Sequence, residues 1–425
     1  MGGGHPRQLL AFTNRDKTEP LRSLSVMTRI YDMIIRCDSA ERGRTMIYFD
    51  NSATTKPYPE ALQSYVTVAG KYFGNPSSIH SLGGEAERLL TQSRTIAAQL
   101  LRVKPSEIIF TSGGTEGNNL AIKGIAMRNR SRGKHIITTN IEHASVFEAY
   151  KQLEELGFDV TYLPVNEHGV VSVEDVKRAL REDTILVSII HVNNETGAIQ
   201  PVAEIGTLLS NHPKIRFHVD HVQGIGKVPL DLYASHIDLC SISGHKFHSV
   251  KGTGLLYVRD GVRLDPILSG GQQELKYRSG TENLPGIVAM VKALRMTMEQ
   301  VKEKVAHLQS LQAELVRFFK EMEDVTINTS LAYAAPHILN VSFVGLKPEV
   351  VVHALEEHGV YVSTKSACSS KANEVSRVLV SMGVPHAAAA SAIRISLAPE
   401  NTMEEVKQFE GIVKETMPKL YEVMR

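Results

Sequence analysis

Tryptophan is absent from this sequence, cysteine occurs three times in 425 residues, and neither sign of charge dominates. Cys37, Cys240 and Cys368 supply neither a disulfide framework nor metal-ligand spacing, which suits a reducing compartment in which a free thiol can work. With 47 Lys+Arg against 46 Asp+Glu the net charge is +1, so no broad basic footprint for nucleic acid exists. No apolar run approaches the roughly 20 residues needed to span a bilayer. A cytoplasmic location without membrane or direct nucleic-acid partners is the expectation. What remains is an ordinary globular composition, 42% hydrophobic and 22% charged, in a chain too long for one core.

Residues 1–45 read as a leader or extension outside the catalytic fold. They mix arginine with Asp16, Glu19, Asp32, Asp38 and Glu41, unlike an acid-poor transit peptide, and lack the apolar core of a secretory signal. Cys37 lies here and is not expected to be catalytic. From Met46 onward, β-branched runs (Ile47–Phe49, Ile108–Phe110, Ile136–Thr138, Ile185–Ile190, Ile215–Val219, Ile237–Ile242) alternate with helical patterns over Glu85–Leu101, Leu120–Arg128, Val146–Leu156 and Val202–Leu209. This predicts an α/β fold with a mainly parallel sheet over 46–290, whose first residues could pack with the next domain. A long charged helix, Ile287 to about Met322, leads into a second, α+β domain over 291–425. Its strands are expected at His337–Phe343, Val360–Ser363 and Ile393–Leu397, its helices at Pro348–His358, Asn373–Met382 and Thr402–Tyr421.

Ser243-Gly244-His245-Lys246 closes the apolar run Ile237–Ile242. A lysine at the edge of a buried sheet is desolvated, which lowers its amine toward the range where it forms a Schiff base. Asp220 ends the run Phe217–Val219. It is either a strand-end cap or the acid that keeps a pyridine nitrogen protonated, and Gln223 can then donate to the ring phenolate. Thr111-Ser112-Gly113-Gly114-Thr115-Glu116 sits between a strand and a helix, where backbone N–H groups and the Thr115 hydroxyl can bind a dianion; a plain turn is the alternative. Ser243 and His245 add donors to that site. His143 is either a helix-start residue or an imidazole stacked on a cofactor face, and Asn194 either a turn residue or an amide aimed at substrate. Together these point to pyridoxal phosphate chemistry.

The order of these residues resembles the NifS/IscS-like cysteine desulfurases of the class V aminotransferase group. The likeness spans residues 46–425 and includes Asp50-Asn51-Ser52-Ala53-Thr54-Thr55, Gly74-Asn75-Pro76-Ser77-Ser78, Thr115-Glu116-Gly117-Asn118-Asn119, Tyr277 to Asn283 and Ser366-Ala367-Cys368-Ser369. It implies the type I pyridoxal-phosphate fold in a homodimer. It makes Lys246 the Schiff-base lysine, Asp220 the partner of the ring nitrogen and His143 the stacked imidazole, with Gln223 and Asn194 near the phenolate. Gly114, Thr115, Ser243, Gly244 and His245 match the phosphate cup, completed by Thr281 of the second subunit. Arg394 matches the arginine for the substrate carboxylate, where a planar fork is apt. Cys368, in a small polar loop between Lys365 and Lys371, is the implied acceptor of sulfur from L-cysteine, forming a persulfide and L-alanine in the manner of the mobile-loop class. The sulfur would pass to an acceptor protein, an iron–sulfur scaffold or a tRNA-thiolating enzyme. Cys240, in an apolar strand, reads as a core residue.

Three departures stand out. Lys365 replaces a glycine common among relatives, His221 replaces a small residue beside Asp220, and the family core lacks residues 1–45. Two rivals remain open. One is a class V aminotransferase or selenocysteine lyase, which would treat Cys368 differently; the other is a noncatalytic sulfur-transfer scaffold.

Overall fold

The computed structural model describes residues 46–364 and 375–424. Twelve strands form three sheets among these residues: β1 Ile47–Tyr48, β2 Ile108–Thr111, β3 His135–Thr139, β4 Asp159–Leu163, β5 Thr184–Ile190, β6 Arg216–Asp220, β7 Leu239–Ser243, β8 Gly254–Val258, β9 Val325–Ile327, β10 Ile338–Phe343, β11 Val360–Tyr361 and β12 Ala392–Ser396. Seven of them make the main sheet, in the order β2-β8-β7-β6-β5-β3-β4. The four pairings from β7 through β4 are parallel, whereas β8 runs antiparallel to both β2 and β7.

The apolar runs are continuous because this sheet is covered on both faces. Successive side chains point to opposite faces. Ile108, Phe110, Ile137, Val187, Ile189, Cys240, Ile242 and Leu255 therefore join one core, while Ile109, Ile136, Leu186, Leu239 and Leu256 join another. Cys240 is fully buried, as its strand context predicts, and burial holds its thiol well above the ordinary range.

The expected helix Ile287–Met322 is two helices, Leu284–Met298 and Val301–Lys320, separated by Gln300 in the left-handed region at φ 53°. The reason is packing. Ile287, Met290 and Leu294 bury into the main-sheet core, whereas Leu308, Leu311 and Leu315 bury into a separate core with Phe343, Ile393 and Phe409. One straight rod cannot serve both, although the pattern of charges reads through the break without interruption.

That second core is built on the antiparallel sheet β12-β10-β9 and on β1, which pairs in parallel with β11. Phe49, next to β1, packs edge-on against Phe409 at 5.6 Å between ring centroids. The first described residues are thereby joined to the last third of the chain, and Asp50 bridges to Ser396 at the end of β12. No helix among the described residues is long and apolar enough to cross a membrane.

Candidate active site

Parallel strands direct their carboxyl ends to one edge of a sheet, the usual place for a ligand in such folds. Here Glu142 and His143 follow β3, Asn194 follows β5, Asp220 ends β6, and Ser243 ends β7 and leads into the turn Gly244–Lys246. All of these but Glu142 and Gly244 meet around a cavity of about 520 Å³ lined by Gly114, Thr115, His143, Asn194, Asp220, Gln223, Ser243, His245, Lys246 and Arg394. Gly244 lies behind this wall, where an added Cβ would sit 2.4 Å from Thr253 Oγ1. Thr281 is exposed and is not among the lining residues. Cys368 and Lys365 lie outside the described residues.

Asp220 is buried and lines the cavity. Its Oδ1 accepts from the Val222 N–H at 3.0 Å and its Oδ2 from Asn118 Nδ2 at 2.7 Å. Asn118 also donates to Ser145 Oγ at 2.9 Å. His143 caps the helix Ala144–Glu155, its Nδ1 accepting from the Ser145 N–H at 3.1 Å, so its proton is assigned to Nε2. Burial lowers the His143 pKa; Asp220 opposes the shift, while Lys246, Arg377 and Arg394 reinforce it. A neutral imidazole is the result.

Lys246 donates to the backbone carbonyls of Ser52 and Ala53, the latter at 2.8 Å. Its own carbonyl accepts from Lys227 Nζ at 3.1 Å. Burial lowers Lys227 to about 8. His245, against Thr54 Oγ1 at 3.2 Å, is pushed down to about 4 by burial and by Lys246, Lys251 and His143. Gln223 Nε2 donates to the Ser52 carbonyl at 3.0 Å.

Arg394, 1% exposed, also lines the cavity and donates from Nη2 to Asp50 Oδ1 at 2.9 Å and from Nη1 to the Asn194 carbonyl at 2.9 Å. Its Nε is buried without a hydrogen-bond partner among the described residues. Burial raises the Asp50 carboxyl above its ordinary range, against the pull of Arg394.

The helix Gly114–Asn129 opens on the cavity with Gly113 at its N-cap, φ 152°, and no side chain capping it. Its first backbone N–H groups are thus available to an anion. At Gly114 a Cβ would lie 2.7 Å from Val222 Cγ2, so the close approach of this turn to the loop after Asp220 requires glycine.

The class V aminotransferase model matches residues 47–409. The chain belongs to that family. It is 49% identical over 366 residues to a NifS/IcsS protein homolog of Lactobacillus delbrueckii subsp. bulgaricus, covering 86% of this chain and 95% of that one. Against the cysteine desulfurase IscS of Methanosarcina thermophila it is 43% identical over 374 residues, 88% of this chain and 92% of the relative. A solved structure described as a NifS-like protein superposes with a TM-score of 0.84 at 39% identity, covering 88% of this chain and 100% of that chain. Within the family the chain is therefore a NifS/IscS-like enzyme of desulfurase or sulfurtransferase type.

The site of this member of the class V aminotransferase family fits the pyridoxal phosphate its family implies. The uncapped helix start suits the phosphate, Asp220 the ring nitrogen, and the amine of Lys246 the carbonyl carbon; Ser52 Oγ is buried in the wall without a partner among the described residues. The sequence does not single out Asn118 as a partner of Asp220 or Asp50 as a partner of Arg394. Both stand in quoted motifs, and Asn118 follows Thr115 by one helical turn, spacing that brings the two to the same helix face.

Proposed function

We infer that this enzyme is a cysteine desulfurase that converts L-cysteine to L-alanine and stores the sulfur on Cys368 as a persulfide. The observation that carries the reading is Arg394: a fully buried guanidinium that lines the same cavity as Lys246 and Asp220 and keeps its Nε–H uncommitted. An amino-acid carboxylate is the small anion that matches such a fork. When bound, pyridoxal phosphate supplies an electron sink for cleavage next to the amino-acid Cα.

Lys246 would hold the cofactor and, once displaced by the substrate amine, take the Cα proton. Asp220, fixed by Asn118 and the Val222 N–H, would face the ring nitrogen. Gly114, Thr115, Ser243 and His245 would hold the phosphate, and Gln223 and Asn194 the phenolate side. His143, neutral with its proton on Nε2, would lie on the ring and carry protons at the substrate. The Cys368 thiolate would attack the substrate sulfur: an S–S bond forms, the Cβ–S bond breaks, and Cβ keeps the electron pair and gains a proton. L-cysteine and one thiol thus become L-alanine and one persulfide.

A homodimer would place Thr281 against the partner's phosphate site. Its exposure supports this, as do the exposed apolar Val66, Phe73 and Ile79 on and after the helix Pro59–Lys71, which packs on the helix following Thr281. The persulfide would be delivered in the cytoplasm to a protein acceptor, an iron–sulfur scaffold or a tRNA-thiolating enzyme. The test is alanine and sulfide formation from L-cysteine with a reductant, in the enzyme and in Cys368→Ala. Activity lost while cofactor absorbance persists supports the desulfurase reading. Equal alanine formation by both refutes the persulfide role.

A further inference from the structure

We propose that Arg377 is a positioning residue for His143, holding the turn that carries the imidazole from both sides. Its Nη2 donates to the carbonyl of Glu142, the residue before His143, at 2.8 Å. Its guanidinium carbon lies 3.6 Å from the ring centroid of Phe147, one helical turn after His143. The backbone N–H of Phe147 bonds the His143 carbonyl at 3.0 Å, so the grip on the ring reaches His143 directly through the first turn of the helix.

The other side of the turn is fixed by the sheet. Glu142 is buried, and its Oε1 accepts from Thr139 Oγ1 at 2.7 Å and from the Ile190 N–H at 2.9 Å. Residue 142 is therefore tied through its carboxyl to the ends of β3 and β5 and through its carbonyl to Arg377. Arg377 has a fixed base of its own. Ser376 caps the short helix Arg377–Ser381 and donates to Glu195 Oε2 at 2.5 Å. Although Arg377 is an exposed residue, its polar edge and its flat face are thus both engaged.

Only a planar guanidinium can donate in its plane and stack through its face at once; a lysine can do one of these. Loss of that grip frees the imidazole to drift, and small misplacements of a reacting group are costly. Charge adds a second effect. Asp220 from the end of β6, Lys246 from the turn after β7, Arg394 from β12 and Arg377 all act on His143, which in turn lowers His245 beside Lys246. Removing the Arg377 cation leaves Asp220 less opposed and favours the imidazolium.

The proposal rests on the proton-handling role inferred for His143, and the test is chosen to separate the two. In cofactor-loaded enzyme carrying Cys368→Ala, exchange of the Cβ hydrogens of L-alanine for deuterium is followed by NMR across pH, with Cα exchange, assigned to Lys246, as the internal control, so the thiol plays no part. R377A is expected to slow exchange about tenfold at unchanged half-saturating alanine, and to move the acid limb of the profile to higher pH. R377K is expected to restore the acid limb and only part of the rate. An R377A profile superimposable on its parent overturns the proposal, as does a loss due wholly to weaker alanine binding. If the parent itself shows no exchange, the cofactor reading fails. Amide hydrogen exchange over residues 140–147 then decides for Arg377: acceleration in R377A supports it, and unchanged protection overturns it.

Discussion

His218 lies at the centre of the main sheet, its Nδ1 2.8 Å from Ser188 Oγ and its Nε2 3.0 Å from Ser241 Oγ. It is fully buried, and burial alone pushes its pKa down to about 3, against 6.5 for a free histidine. A base with a depressed pKa stabilises the fold above its unfolded value and loses that contribution as pH falls. The window here opens near pH 6.5 and extends toward pH 3. At pH 5 the unfolded chain has bound a proton that the native chain refuses, which costs about 2 kcal/mol relative to pH 7.5. The wild-type profile alone does not isolate this, because Glu142 acts with the opposite sign. The assay is therefore a difference: urea unfolding of cofactor-loaded wild type and H218Q at pH 7.5 and pH 5. Glutamine sacrifices one of the two serine contacts at either pH, a constant offset of about 1 kcal/mol. The gap between the two proteins should shift by about 2 kcal/mol in favour of H218Q on acidification. A gap that is the same at both pH values refutes the reasoning and means that the native state accepts the proton.

Glu142, buried and raised to about 8, is protonated in the fold at neutral pH, so wild type should lose about 2 kcal/mol relative to E142Q between pH 6 and pH 8 in the same unfolding assay. Gly114→Ala forces a Cβ to within 2.7 Å of Val222 Cγ2 and should weaken cofactor binding at least about tenfold, read by absorbance titration of the apoenzyme. Arg394→Lys keeps the charge but loses the fork to Asp50 and Asn194. It should raise KM for L-cysteine about tenfold or more, with kcat changing less, as measured by alanine formation.

The sequence disclosed the central strands because they are buried on both faces, which demands long β-branched runs such as Thr184–Ile190. It disclosed less where an element's identity depends on what it packs against. The antiparallel β8 has a short apolar run like its parallel neighbours, and nothing local reports its direction. The break at Gln300 has neither glycine nor proline to mark it, and the need to serve two cores is a tertiary fact. The site divides in the same way. Lys246 is legible from its chemistry, whereas Asp220 and His143 read two ways on their own and Arg394 comes only from the family resemblance. The pairings of Asn118 with Asp220 and of Asp50 with Arg394 are not legible, since an amide or a carboxylate has too many structural uses for its partner to be read from position. The carbonyls of Ser52 and Ala53 that receive Lys246 carry no side-chain signal at all.

The pairing of Asp50 with Arg394 spans 344 residues. During translation Asp50 emerges long before the strand that completes its ion pair, and at 5–20 residues per second the wait is roughly 20–70 s. The main sheet can be assembled in that interval, with its cofactor residues already aligned, while β1 still lacks β11. A nascent chain is thus in a position to gather the groups proposed for pyridoxal phosphate before it possesses the arginine proposed to select an amino acid, which would make substrate recognition the last competence this polypeptide acquires.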